Sequence, residues 1–338
     1  MHLIVDQFGV FISKHQGRIR VLKEKERLAE VPIMHLEQIL ICSDGVGLSS
    51  DVVRACAEEG IPIHFLSSAD SGDYGTLMHS GITGMALTRR AQLRAGDDER
   101  GVHLAQAFAS GKIQSQANML RYAAKNRKES NPDLYDDLMR TATEILDALP
   151  PLRAVRGVLT DETRAALMGF EGMAGARYWA AVARIIPDDL AWPGRETRGA
   201  RDRFNQALNY GYGVLQSQVR TALILAGLDP NAGFLHADRP GKPSLTLDLI
   251  EEFRQAVVDR TLIGLVNRQF EIVQRDDGLL DDATRKRIAE KILERLDSAE
   301  PYEGKRQPLR HILQCQARHI ATFVRGERPT YEPFVMGW

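Results

Sequence analysis

The feature that most constrains this chain is a change in its hydrophobic period near residue 85. Before that point apolar residues recur at a spacing close to two. LIVD (3–6), VFISK (10–14), RIRVLK (18–23), QILICS (38–43), IPIHFLS (61–67) and YGTLMHS (74–80) predict short strands, because only a strand places every second side chain on one face. VPIMHLEQ (31–38) and the residues around Gly9 read as breaks, and SADSGD (68–73) reads as a polar turn. Ser49, Ser50 and Asp51 supply a cap for one short helix, DVVRACAEE, which Gly60 ends. From Ala86 onward apolar residues fall three and four apart, through GVHLAQAFASGKIQSQANMLRYAAKNRK, DETRAALMGFEGMAGARYWAAVARII, NQALNYGYGVLQSQVRTALILAG, LDLIEEFRQAVVDRTLIGLVNRQF and residues 282–297, which predicts helices. The expected fold is therefore α+β, with a small β-rich domain over residues 1–84 and a larger, mostly α-helical domain over 85–338. At 338 residues and 43% hydrophobic, the chain can bury one large core or two smaller ones.

Three cysteines, Cys42, Cys56 and Cys315, are far apart and form no C-x-x-C, which argues against a disulfide framework or a structural zinc site. No apolar run reaches the length of a membrane span, and the opening MHLIVDQFGVF lacks the charged-then-apolar layout of a signal peptide. A soluble cytoplasmic protein is expected. The net charge of −1 leaves nucleic acid open as a partner, because binding needs a local basic patch rather than a basic total.

Two stretches carry candidate chemistry. In GFLHADRPGKPSLTLDLIEEFR (233–254), Ser244 reads as a helix cap, and Ile250, Phe253 and Val257 read as a core stripe. Asp248, Glu251 and Glu252 then lie on or beside another face, where a carboxylate cluster suits a hard divalent cation and His236 can reach it from the loop. The competing reading is a solvated acidic face and a hydrogen-bonding histidine. In MGFEGMAGARYWAAVARII (168–186) one acid, Glu171, sits among apolar residues, flanked by Gly169, Gly172 and Gly175. Burying that carboxylate requires a partner. Glycines cost about 1 kcal/mol each in a helix interior, which points to close approach by another backbone or a ligand. The competing partner for Glu171 is Arg177 or Arg184.

Together these stretches resemble the CRISPR-associated spacer-acquisition integrase, the universal metal-dependent DNA endonuclease and integrase of CRISPR adaptation. The resemblance rests on G-F-E-G-x-x-x-A-R-Y around Glu171, FNQALNYGYGVL (204–215), His236 followed by S-L-x-L-D-L-x-E-E-F-R, and the ending YEPFVMGW. It implies Glu171, His236 and Glu251 as ligands of Mg²⁺ or Mn²⁺, with Asp248 and Glu252 supporting them. Many members carry Pro after the E-E-F-R arginine, whereas Gln255 stands here, so Glu251 and Glu252 both remain open as the third ligand. The family also implies a homodimer paired through its β-rich domains, a small ferredoxin-like partner protein, and double-stranded DNA as substrate. It implies attack of a DNA 3′-OH, or of water, on a backbone phosphate, with a divalent ion neutralising the charge that develops there.

Basic residues are expected to hold the DNA backbone: Arg177, Arg195, Arg198, Arg201 and Arg203 on and after the Glu171 helix, and Arg239 and Lys242 beside His236. Arg89, Arg90, Arg94, Lys112, Arg121, Lys125, Arg127 and Lys128 extend the same patch. Two other functions compete. One is an Fe(II)-dependent oxygenase in which His236 and Asp238 form an H-x-D completed by His311 or His319. The other is a catalytically inactive dimeric DNA-binding scaffold.

Overall fold

The computed structural model describes residues 1–24, 26–66, 73–77, 85–197 and 199–338. The expected turn at 68–73 and the end of the 74–80 strand lie largely outside the described residues, as does Arg198. A strand-rich amino-terminal region precedes a mostly helical remainder, as the change of period predicts. The chain forms two compact units. One comprises residues 1–82, 196–217 and 271–292, and the other 83–195, 218–270 and 293–338.

Among the described residues the first unit contains two four-stranded sheets. Strands β1 (His2–Val5), β5 (Gln38–Ile41) and β7 (Ile63–Leu66) run parallel, with β8 (Asp73–Leu77) antiparallel on the edge. The second sheet has the order β4 (Glu26–Pro32), β3 (Arg18–Lys23), β2 (Phe11–His15), β6 (Gly47–Leu48). All four residues of β5 are buried, so Ile39, Leu40 and Ile41 form a continuous apolar run rather than an alternating one. β4 escaped the periodicity because it is an edge strand in which only Val31 is buried. Leu3, Val5, Ile12, Ile19, Val21, Ile39, Ile41 and Ile63 join Val52 and Cys56 of helix α1 (Ser50–Glu58) in one core. The α1 cap is as expected: the Ser49 hydroxyl accepts from Val52 N–H, and Gly60 takes φ +69° beyond the other end.

The second unit is organised on α3 (Glu99–Ala124), a long helix preceded by α2 (Met85–Ala95). α4 (Pro132–Leu146), α5 (Leu149–Ala154) and α6 (Asp161–Val182) pack against α3. A reciprocal cap starts α6: the Thr160 hydroxyl accepts from Thr163 N–H at 3.2 Å, and Thr163 accepts from Thr160 N–H at 2.8 Å. α7 (Arg203–Leu225) runs through both units' residue ranges, and its Asn205 and Asn209 serve the loop before it. Asn205 accepts from Glu196 N–H at 3.1 Å, and Asn209 donates to the Thr197 carbonyl at 2.9 Å.

The expected single helix over 247–270 is broken. α8 (Ser244–Ile250) is followed by a tight turn in which Glu251, Glu252 and Phe253 each donate to the carbonyl three residues earlier. A π-helical turn, Arg254–Asp259, leads into α9 (Arg260–Val266). After α10 (Asp282–Asp297), an unpredicted hairpin of β9 (Ala299–Tyr302) and β10 (Lys305–Pro308) precedes α11 (Leu309–Val324). Among the described residues no helix is long and apolar enough to cross a membrane.

Candidate metal centre

Asp248 organises the loop that carries His236. Its side chain is fully buried and accepts backbone N–H groups from Phe234 (2.6 Å), Leu235 (3.0 Å) and His236 (2.8 Å). The same carboxylate lies 2.8 Å from His236 Nδ1. A carboxylate accepts, so Nδ1 donates, and Nε2 is the ring nitrogen that Asp248 does not engage. Ser244 is the first residue of α8 rather than its cap: its hydroxyl donates to the Ala237 carbonyl at 3.1 Å and fastens the loop instead. Gly233 sits where a Cβ would meet Ser244 Cβ at 2.6 Å and Asp248 Oδ2 at 3.0 Å. Gly233→Ala should therefore lower stability by about 1–3 kcal/mol, the usual cost of overpacking, and this can be read from the denaturant midpoint.

Glu171 and Glu251 come from separate elements to one cation. The ammonium of Lys112, on α3, pairs with Glu171 Oε1 and lies 2.7 Å from Glu251 Oε2. Arg254 Nε lies 3.2 Å from that same Glu251 oxygen. Burial opposes ionisation of Glu251, but Arg254, Lys112 and His236 overcome it and hold the carboxyl well below the usual carboxylate range. Arg177 and Arg184 are not the partners of Glu171. Arg177 donates to the Glu144 carbonyl at 3.1 Å, and Arg184 pairs with Asp137. α6 is fixed against the segment following Glu251 by the buried Tyr178, whose hydroxyl donates to Asp259 at 2.8 Å.

One competing reading fails and two expectations need correction. Glu251 and Glu252 are not a solvated pair, since they are 3% and 0% exposed. α6 is not buried all round: Met168 and Met173 are exposed, and a Cβ on Gly169 or Gly172 would meet nothing, so no backbone approaches there. Lys112 lies inside the carboxylate site rather than in a surface patch. The sequence carried a signal for it, a single lysine within an otherwise apolar and small-residue run of α3.

Glu252 belongs to a different environment from Glu251. Its carboxyl accepts from Tyr331 Oη (2.5 Å), Gln316 Nε2 (2.8 Å) and Phe334 N–H (2.9 Å), which dock the carboxy-terminal residues. Burial outweighs these donors and pushes its pKa up to about 7. In the oxygenase motif, Asp238 is exposed and accepts from Gly233 N–H at 2.9 Å. His311 lies beside Cys315, and His319 beside Tyr302 and Gln316.

Among the described residues no three His, Cys, Asp or Glu side chains are grouped closely enough to hold an ion as they stand. The donors nonetheless fit a divalent ion. Two carboxylates already converge on one cation, and an imidazole nitrogen suits Mn²⁺ as well as the oxygens suit Mg²⁺. Both ends of the Gln116 side chain, one helical turn beyond Lys112, are buried without a hydrogen-bonding partner. Its Nε2 and Glu171 Oε1 each lie 3.8 Å from the Cβ position of Gly175. A hydrated ion beside Glu171 would satisfy that amide.

A cleft of about 660 Å³ runs along α6 from Glu171 past Gly175 to Trp179, Trp192 and Arg195. The Arg195 guanidinium lies 5.8 Å from the Trp179 ring centre, and the two indoles meet edge to face at 5.9 Å. Of the other expected DNA contacts, Arg239 is exposed and Lys242 half-buried on the His236 loop, whereas Arg201 and Arg203 belong to the first unit.

A family model described as "CRISPR associated protein Cas1" matches residues 3–294. The chain is 38% identical to CRISPR-associated endonuclease Cas1 1 of Archaeoglobus fulgidus, over 100% of both chains. Its fold is similar to that of a casposase bound to integration product, with a TM-score of 0.83 at 21% identity, covering 98% of this chain and 92% of that one. It is also similar to part of a Cas6-RT-Cas1–Cas2 complex, with a TM-score of 0.75 at 19% identity, covering 99% of this chain and 36% of that one.

Proposed function

The chain belongs to the Cas1 family of CRISPR-associated proteins, and from that premise we propose that it is a divalent-metal-dependent DNA endonuclease and integrase that inserts short foreign DNA fragments into a CRISPR array. The observation that carries this reading is the meeting of Glu171 and Glu251 on one cation, beside an imidazole whose orientation Asp248 dictates. Glu171, His236 through Nε2, and Glu251 would hold Mg²⁺ or Mn²⁺. When bound, such an ion neutralises charge on the phosphate's non-bridging oxygens and lowers the pKa of a coordinated hydroxyl. Asp248 fixes the imidazole through Nδ1, so Nε2 would be the nitrogen offered to the ion. The α6 cleft supports the substrate class: two indoles and a guanidinium can stack on bases and meet phosphates without reading sequence. A DNA 3′-OH or water serves as nucleophile, so no protein nucleophile is required.

In this reading the protein acts in the cytoplasm as a homodimer paired through its strand-rich region. It works with a small ferredoxin-like partner; the similarly folded Cas6-RT-Cas1–Cas2 complex supports a protein partner of this kind. The experiment is a strand-transfer and cleavage assay on short duplexes carrying 3′ overhangs. Joining and cutting are expected with Mn²⁺ or Mg²⁺ and should vanish in chelator. Activity that persists unchanged in chelator would end the proposal, and DNA binding without any activity in either condition would favour an inactive scaffold.

A further inference from the structure

Lys112 stands in an unusual place for a lysine. It follows Gly111, where a Cβ would meet Pro333 at 2.8 Å, on a stretch of α3 that is otherwise buried and apolar. Its side chain is only 14% exposed, and it pairs with two carboxylate oxygens from distant parts of the chain. An ammonium is tolerated there because the carboxylates compensate it, and they in turn tolerate proximity because the ammonium lies between them. With Arg254 on the same Glu251 oxygen, the two carboxylates are already compensated by positive charge. A divalent ion entering this balanced cluster would bring two positive charges in excess, and the atoms it needs are those Lys112 already contacts.

We propose that Lys112 is a built-in counter-cation of the metal centre, whose ammonium a divalent ion must displace from Glu171 and Glu251. The inference rests on reading this cluster as a metal centre. Lys112 holds the two carboxylates together when no metal is bound and weakens metal binding by competing for the same oxygens. The apparent affinity is reduced by the small fraction of molecules in which the lysine has swung away. Lys112 is thus a positioning residue that sets the ion concentration at which the centre loads.

The test is Mn²⁺ binding to the full chain, with free Mn²⁺ counted by electron paramagnetic resonance, together with thermal unfolding in chelator and in Mn²⁺. Lys112→Met should bind Mn²⁺ about tenfold tighter or more than the parent. It should also unfold at lower temperature than the parent in chelator, and Mn²⁺ should close that gap. Lys112→Gln keeps a donor without the charge and carries the same measurement if the methionine variant does not fold in chelator. Equal Mn²⁺ affinity in parent and variants overturns the proposal and leaves the metal centre standing. A parent that binds no Mn²⁺ overturns the metal centre itself, and this inference with it. Failure of both variants to fold even in Mn²⁺ also overturns it, because the ion then does not take the place of the ammonium.

Discussion

Glu251→Gln should reduce Mn²⁺-dependent cutting and joining by at least about a thousandfold, whereas Glu252→Gln should leave the rate within about tenfold of the parent. The two residues are neighbours in sequence and differ only in what surrounds them. Glu251 meets Lys112 and Arg254 beside Glu171, with its carboxyl held in the charged form. Glu252 points into the docked carboxy-terminal residues and contacts none of the site's cations. Its substitution should appear in stability. Below about pH 4.5 Glu252 is protonated in both the folded and the unfolded chain. Between there and about pH 7 the unfolded chain releases the proton while the folded chain retains it, so this carboxyl destabilises the fold increasingly as pH rises and adds nothing further above that. The loss across the window is on the order of 3 kcal/mol. Glu252→Gln should remove this pH dependence, as read from denaturant midpoints between pH 4.5 and 8. Loss of activity in Glu252→Gln with activity kept in Glu251→Gln would reverse the assignment.

Asp248→Ala is expected to be the most destabilising single change in the site, costing about 4 kcal/mol or more. The carboxylate satisfies three successive backbone N–H groups and the His236 ring, all at 3.0 Å or less. Phe234 and Leu235 are buried, so water cannot readily replace the lost acceptor at their N–H groups. Asp248→Asn keeps one acceptor oxygen and should cost less, but it should still weaken Mn²⁺ binding by about 10–100-fold through the misoriented imidazole. Chemical denaturation and Mn²⁺ titration of both variants check this. Unchanged stability in Asp248→Ala would mean that the His236 loop is held by something else.

Local sequence alone determined the change from strand to helix near residue 85, a cap within Ser49–Asp51, and the candidacy of Glu171, His236, Asp248, Glu251 and Glu252. Periodicity, capping chemistry and an acid in an apolar run are properties of adjacent residues, so they can be read before any packing is known. Polar edge strands such as β4, and the short hairpin of β9 and β10, lack that periodicity and became visible only as pairs. Only the tertiary structure decided which of two adjacent glutamates faces Glu171, because the tight turn at 251–253 and the π-helical turn after it set side-chain directions that a regular helix would not. It also turned Lys112 from one basic residue among many into the cation between two carboxylates. The physical reason is that a buried charge is defined by its partners, and here those partners are contributed by α6 and by the end of α8, far from Lys112 along the chain.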